Sequence, residues 1–329
     1  MNVKEKDNKL KKLGTTLMSK PEMGTIIPLV ILLIIIAFVN NNFYSKNNLL
    51  DVLRTTSFTF IIAAPLTCLM LTGNRDLSVG ATTALGGIVC AWGLTDMGIG
   101  VIPSIAMALA AGALVGLIKA GICLKLKLPP FIITLGLQYM INGFILVTTQ
   151  GNPITGFPET FTAIGQGKLS VGVHYTVLIA LALGILIHVM LTRMRFGREL
   201  YAVGGNRETA RLAGINVNKT LLLAHVAVSI AAAFVGVLYA SRFNSAQYNA
   251  GAGTEMTIMC AIIIGGTSFS GGVGSVVGSF LGCLLLACIS NGLVLMHVST
   301  YYQNLVMGGI LILSLVLDRI RSEKSGGGL

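Results

Sequence analysis

Charged residues are scarce in this chain, and long stretches of it have none. Only 11% of the 329 residues are charged, whereas a soluble domain usually carries about 25%. The composition therefore excludes an ordinary soluble protein and predicts a membrane protein. Asp, Glu, Lys and Arg are all absent from eight stretches: 23–45, 55–74, 77–95, 97–118, 128–158, 169–192, 220–241 and 256–317.

These stretches set the expected number of membrane spans. A membrane helix needs about 20 mostly apolar residues, so the first seven stretches predict one span each. The last can hold three, with breaks at the glycine-rich segment 265–274 and at 297–302. The first is followed by "NNNFYSKNN" rather than by a cleavage site, which favours a retained span over a signal peptide. We predict an all-α polytopic membrane protein with about ten transmembrane helices, some of them broken by glycine-rich segments.

The net charge of +11 comes largely from four basic clusters, at 4–20, 119–127, 193–219 and 319–324. Short cytoplasmic loops of membrane proteins carry an excess of Lys and Arg. If all four clusters are cytoplasmic, the spans between them must be even in number, and ten spans divide as four, two and four. We therefore expect both termini in the cytoplasm, and we expect lipid rather than nucleic acid around the chain.

This placement divides the chain into three parts. Residues 1–22 are expected to form a cytoplasmic arm, 23–318 a single transmembrane domain and 319–329 a cytoplasmic tail. The basic segment at about 193–219 is expected to be a cytoplasmic loop within the transmembrane domain. The longest external segment, 149–173, has a loop-like composition with Gly and Pro.

Motifs for catalysis, ATP binding and metal binding are missing from the sequence. It contains no GxxxxGK[ST], HExxH or GxSxG motif. The four histidines lack the spacing of metal ligands. The six cysteines, which form no CxxC pair, are expected to be small buried side chains. Acidic residues are almost absent from the spans, which leaves few candidates for an ion relay. We expect no enzyme activity, no metal and no cofactor on this chain.

Polar residues within or beside the spans are candidates for a transport pathway. In "TGNRDLSVG" (72–80), Asp76 and Ser78 either shape a pathway or cap a helix at the membrane edge, with Arg75 reaching the lipid headgroups. Hydrogen-bonding side chains within spans suit a neutral polyol, although hydrogen bonds between helices explain them equally well. The further pathway candidates are Gln138, Asn142, Asn291 and Gln303.

A second polar segment, 240–256, follows an outward-going span. Arg242, Asn244 and Gln247, together with Glu255, are candidates for a pathway mouth or for contact with a docked partner. The alternative is an ordinary external loop.

The basic segment "YAVGGNRETARLAGINVNK" (201–219) combines chain breakers with a helix signal. Gly204 and Gly205 are expected to break the chain, Asn206 to cap the helix that follows, and Gly214 to end it. A short helix on the cytoplasmic face suits contact with a separate ATPase that supplies the energy. The alternative is an amphipathic linker on the membrane surface.

The same segment closely resembles the cytoplasmic loop of ribose-type ABC importer permeases, a family that also serves xylose, arabinose, galactose and autoinducer-2. Further motifs that fit are "DLSVG" (76–80), "SAQ" (245–247), "GGTSFSGGVGSVVG" (265–278) and "SNGL…STYYQ" (290–303). The resemblance covers roughly residues 40–320.

The resemblance implies a permease of the bacterial plasma (inner) membrane that pairs with a second permease copy. It also implies a cytoplasmic ABC ATPase, which binds ATP and Mg, and an extracytoplasmic sugar-binding protein, which Arg242, Asn244 and Gln247 are candidates to contact. The residues it assigns to ATPase coupling are Gly204, Gly205, Asn206, Glu208, Ala210, Ala213, Gly214 and Ile215.

One departure from the family pattern precedes "DLSVG". The family commonly has Gly and an aliphatic residue there, whereas this chain has Asn74 and Arg75. "GINVNK" and "STYYQ" look most like the ribose branch, so ribose or a related monosaccharide is the expected substrate. A secondary sugar transporter or a channel, working without an ATPase, is the alternative.

Overall fold

The computed structural model describes residues 23–39 and 41–299, together with scattered helical positions between 302 and 316. The expectations for the arm at 1–22 and the tail at 319–329 lie outside the described residues. The helices are α1 (Met23–Val39), α2 (Lys46–Leu71), α3 (Val79–Thr95), α4 (Val101–Leu126), α5 (Pro130–Thr149), α6 (Glu159–Gln166), α7 (Tyr175–Arg193), α8 (Arg195–Gly205), α9 (Arg207–Leu212), α10 (Val217–Phe243), α11 (Thr254–Ile264) and α12 (Val276–Leu295).

The prediction of an all-α polytopic membrane protein is confirmed. Six of the described helices are long and apolar enough to cross a membrane, namely α2, α4, α5, α7, α10 and α12. Two further apolar helices, α3 and α11, are shorter. The breaks expected in the last apolar stretch are present, because α11 ends at Ile264 and α12 runs from Val276 to Leu295.

Helix α10 lies at the centre of the fold, packed against α2, α3 and α4. Small residues make the α3–α10 contact close. A Cβ added at Gly87 would lie 3.0 Å from the Gly236 carbonyl oxygen, and one added at Gly86 would overlap the backbone of Ala233. Membrane helices gain van der Waals contact by such close approach. Most of the apolar segment is buried in α2 and α10, whereas less than a third of it is fully buried in α4, α5 and α7.

A buried ion pair joins the α2–α3 loop to α4. Lys119 Nζ pairs with Asp76 Oδ2, and both side chains are fully buried. Asp76 Oδ1 also accepts hydrogen bonds from Ser78 N at 2.9 Å and Ser78 Oγ at 2.6 Å. Buried charges of this kind persist only when they are paired and hydrogen-bonded.

Lys119 corrects one part of the charge assignment. The sequence groups it with Lys125 and Lys127 as a basic loop, but it lies inside α4, which continues to Leu126. Its charge is neutralised by Asp76 rather than exposed at the membrane surface.

The segment 149–173, which the sequence predicts to be external, is more ordered than its composition predicts. It contains α6, and its strand β1 (Ile154–Thr155) pairs antiparallel with β2 (Ser245–Ala246). Ser241 Oγ accepts a hydrogen bond from Gly165 N at 2.7 Å and donates one to the Phe161 carbonyl at 2.6 Å. The loop prediction is wrong for α6, because its helix is held by contacts with α10 that local composition does not reveal.

We predict that Lys119→Met lowers stability markedly, because it leaves the Asp76 carboxylate buried without its partner. Loss of one partner from a buried pair costs about 3–5 kcal/mol. The neutral double variant Asp76→Asn/Lys119→Met should recover part of this loss. Thermal unfolding of the detergent-purified protein measures both effects. Lys125→Met, which removes an exposed lysine six residues further along the chain, is the control, and an equal melting temperature for it and Lys119→Met would contradict the prediction.

Candidate functional site

Helices α8 and α9 meet at a sharp bend, which we call the elbow (residues 201–215). Asn206 has an extended backbone (φ −159°, ψ 116°) between the two helices, and its side chain accepts a hydrogen bond from Thr209 N at 2.9 Å. The predicted cap is therefore present. The break lies at Asn206, not at Gly204 and Gly205, which form the last residues of α8. Gly214 (φ +80°) follows the end of α9, as predicted.

One face of the elbow is fixed to the rest of the fold. Ala210 is buried and packs in a small apolar cluster with Val203, Val217 and Leu221, against which Ile215 also packs. Ala210 thus positions α9 on α10 rather than offering a surface to a partner.

The opposite face of the elbow is open. Glu208 and Ala213 are exposed, and Leu212 is 88% exposed. These three side chains are accessible to another protein on this face of the elbow. The sequence reading missed Leu212, although its position beside the predicted helix end was a signal.

Three glycine-containing segments pack together, and we call their contact the glycine junction. The segments are 71–75, 201–207, which is the first part of the elbow, and 269–274. Gly272 N donates a hydrogen bond to the Leu71 carbonyl at 2.8 Å. A Cβ at Gly204 would overlap that same carbonyl oxygen. Tyr201 Oη donates to the Gly274 carbonyl at 2.7 Å. The elbow therefore contacts the two loops that interrupt the apolar helices, α2–α3 and α11–α12.

Asn74 and Arg75 both belong to the glycine junction. Arg207 Nη2 donates to Asn74 Oδ1 at 2.8 Å and to the Thr72 carbonyl at 3.4 Å. Arg75 Nη2 donates to the Phe269 carbonyl at 2.6 Å, and its guanidinium carbon lies 3.3 Å from the centroid of the Phe269 ring. Arg75 thus packs on the α11–α12 loop.

The pathway candidates do not form one cluster. Asp76 and Ser78 are fully buried in the ion-pair group with Lys119. Gln138 Nε2 donates to Glu255 Oε1 at 3.1 Å, which places the buried Glu255 at α5 rather than at an external surface. Asn142 lies four residues beyond Gln138 on the same helix and is half-buried.

The remaining pathway candidates lie elsewhere. Asn291 and Asn48 exchange two side-chain hydrogen bonds of 2.8 and 2.9 Å between α12 and α2. Gln303 Nε2 donates to the Val298 carbonyl at 3.0 Å. The observed contacts of Asn291 and Gln138 are therefore hydrogen bonds between helices, which the sequence analysis gave as the alternative to a pathway role.

The other end of α10 carries the three candidates for contact with a binding protein. Arg242 lies over the rings of Phe58 (5.3 Å) and Phe243 (5.1 Å). Asn244 has a left-handed backbone (φ 50°), and its side chain accepts a hydrogen bond from Phe157 N at 3.3 Å. Gln247 is exposed.

Further charged residues lie near this end, including the cations Arg54 and Lys168 and the carboxylate of Asp51. Arg54 Nη2 donates to the Gly165 carbonyl at 2.7 Å. Burial, followed by the charges of Arg54 and Lys168, lowers the pKa of the nearby His174.

All six cysteines are buried, which confirms their predicted role as small core side chains. Among the residues that the structure describes, no group of three or more His, Cys, Asp or Glu side chains is arranged to hold a metal ion.

Comparison with known proteins identifies the family. The family model described as "branched-chain amino acid transport system / permease component" matches residues 48–315. No solved structure matches the chain.

Two relatives are named ribose import permease protein RbsC. The one from Escherichia coli (strain K12) is 36% identical over 90% of this chain and 93% of its own length. The one from Bacillus subtilis (strain 168) is 35% identical over 92% of this chain and 94% of its own length. The galactose/methyl galactoside import permease protein MglC of E. coli (strain K12) is 34% identical over 91% of this chain and 94% of its own length. The family match and these nearly full-length similarities show that the chain belongs to this family of transport-system permease components.

Proposed function

We propose that this chain is the multi-pass inner-membrane permease of an ATP-driven ABC importer for ribose or a related monosaccharide. Similarity over nine-tenths of the chain to ribose and galactose import permeases is the observation that carries the proposal. ATP hydrolysis then belongs to a separate ATPase, with ATP and Mg bound there.

The proposed topology has ten spans and two cytoplasmic termini. The six long apolar helices supply six of them. Helices α1, α3 and α11 and the helical positions between 302 and 316 supply the other four, at the places where the charge-free stretches predict them. The elbow then lies in the cytoplasm, and Arg242 lies on the external side.

The elbow supports a coupling role. Its open face, with Glu208, Leu212 and Ala213, would contact the ATPase, while its buried face is anchored on α10 by Ala210. Motion of the ATPase would reach the glycine junction directly, because Gly204 and Arg207 contact the α2–α3 and α11–α12 loops. Both loops interrupt apolar helices, so their displacement changes how those helices pack around a central pathway.

A second permease copy would complete the pathway, and an external sugar-binding protein would deliver the sugar to the end that holds Arg242. The second permease is either identical to this chain or related to it. Reconstitution with this chain alone, compared with reconstitution together with a related permease, would distinguish the two cases. Gln138, Asn142 and Gln303 remain our candidates for lining the pathway. Asp76 and Ser78 would influence the pathway from the buried ion-pair group, and Asn291 through its hydrogen-bonded pair with Asn48.

Reconstitution tests the proposal directly. Proteoliposomes would contain this chain with or without its ATPase and binding protein, and uptake of labelled ribose, galactose and xylose would be measured. We expect uptake only in the complete system with ATP, and ribose to be taken up fastest. Equal uptake by the chain alone would contradict the proposal and favour a channel or secondary transporter.

We predict opposite outcomes for alanine at two adjacent glycines. Gly204→Ala forces a methyl group into the Leu71 carbonyl, whereas a Cβ at Gly205 meets nothing within 4 Å. Gly204→Ala should therefore uncouple ATP hydrolysis from uptake, and Gly205→Ala should leave both unchanged or add up to about 1 kcal/mol of helix stability. The measured quantity is ATP hydrolysed per sugar imported. An equal number of ATP molecules hydrolysed per sugar imported in the two variants would contradict the proposed role of the glycine junction in coupling.

We predict that Leu212→Asp weakens association with the ATPase by about tenfold, because it removes an apolar side chain from the proposed contact face and puts a charge there that the contact would have to desolvate. The protein should still fold, since the side chain is 88% exposed. Co-purification of the ATPase and titration of ATPase activity would measure the effect. Val171→Asp, at a 66% exposed apolar residue of the external segment, is the control, and an equal loss there would refute the assignment.

We predict that Arg242→Met raises the concentration of binding protein needed for half-maximal uptake by about fivefold at low salt. Methionine keeps an apolar contact with Phe58 but removes the charge. The difference should shrink in high salt, because screening weakens attraction between exposed charges. A shift that is independent of salt would show that packing, not charge, is responsible.

A further inference from the structure

A cationic cavity lies between α4, α5, α9 and α10, and two residues of its lining, Asn74 and Arg207, also belong to the glycine junction. Its volume is about 310 Å³, and three cations line it: Lys127, Arg207 and Arg211. The lining contains no carboxylate, and the carboxylate that pairs with Arg211, Glu208 at 3.7 Å, is 84% exposed. Cavities that hold small molecules begin at about 300 Å³, so this one is large enough for a small anionic group.

The cavity lining includes a buried histidine whose ring has a nitrogen without a hydrogen-bond partner. His225 lines the cavity, is 1% exposed, and has no hydrogen-bond partner at Nδ1. Buried polar atoms are almost always hydrogen-bonded in folded proteins. An occupant that presents oxygen atoms to His225 would satisfy this atom. The nearby Asp76 carboxylate is already bound by Lys119 and Ser78.

The cavity also has an apolar side, made by Leu124, Leu128 and Pro130. Together the lining matches a phosphoester, which has an anionic head and an organic remainder. Arginine and lysine are the side chains that usually hold phosphate oxygens.

We propose that this cavity binds a phosphate group, which is carried either by the headgroup of an anionic lipid or by a phosphorylated solute. Arg207 also donates a hydrogen bond to Asn74 in the glycine junction. A phosphate group bound to Arg207 would therefore affect the position of the elbow. That regulatory consequence rests on the proposed function, whereas the binding itself does not.

The test measures binding on the purified full-length chain, without ATPase or sugar, and therefore separates this proposal from the transport proposal. Inorganic phosphate is titrated in a neutral detergent at constant ionic strength, with chloride as the balancing anion. Lys127→Gln and Arg211→Gln should each weaken phosphate binding by about tenfold, because each removes one charge-assisted contact.

Lys125→Gln is the matched control, since Lys125 lies in the last turn of α4 and does not line the cavity. Glutamine is also a tolerable replacement at Lys127, which has a left-handed backbone (φ 53°), because Gln150 of this chain adopts the same conformation (φ 52°). Size-exclusion profiles of all variants establish that they fold.

A second arm identifies the source of the phosphate group. Thermal unfolding is compared in nanodiscs of dioleoylphosphatidylglycerol and dioleoylphosphatidylcholine. Saturable binding of inorganic phosphate that is weakened in Lys127→Gln and Arg211→Gln supports a soluble ligand. Stabilisation by phosphatidylglycerol that is lost in those two variants and kept in Lys125→Gln supports a lipid. The absence of both effects, or an equal effect of Lys125→Gln, would overturn the proposal.

Discussion

Direct backbone contact at the glycine junction is the constraint on which the rest of this structure depends. The end of α2, the elbow and the α11–α12 loop meet with so little space that the Gly272 amide bonds to the Leu71 carbonyl and no Cβ fits at Gly204. Contacts between backbones leave little room for side-chain rearrangement, so a displacement of one segment displaces the others. The junction thereby joins a surface helix to two interruptions of the apolar helices.

Polar contacts around the junction fix its orientation. The Arg207–Asn74 hydrogen bond ties α9 to the α2–α3 loop, and Arg75 ties the same loop to Phe269. One residue further along, Asp76 pairs with Lys119 and attaches the loop to α4. Three consecutive residues, 74–76, thus bind three different parts of the fold. Asn74 and Arg75, at which the sequence analysis expects a departure from the family pattern, both fall within this set.

Local sequence signals predicted some of these features and could not predict others. The Asn206 cap and the Gly214 helix end depend on backbone geometry within a few residues, and both were predictable. The sequence wrongly assigned Lys119 to a basic loop because Lys125 and Lys127 lie close to it in the chain. Its pairing with Asp76 depends on the tertiary fold, which local sequence does not reveal. The role of Gly204 was likewise hidden, since its close contact is with residues more than sixty positions away in sequence. Helix α6 has an ordinary loop composition and owes its order to α10.

The central claim is that the junction moves as one unit during transport. Cysteines replacing Asn74 and Arg207 would be joined by a short bifunctional thiol reagent, and the buried native cysteines would be replaced by alanine to prevent side reactions. ATP-driven sugar uptake would then be compared before and after cross-linking in the complete reconstituted importer. The account predicts an unchanged ratio of sugar imported to ATP hydrolysed. Loss of uptake on cross-linking, restored by cleaving the linker, would contradict it.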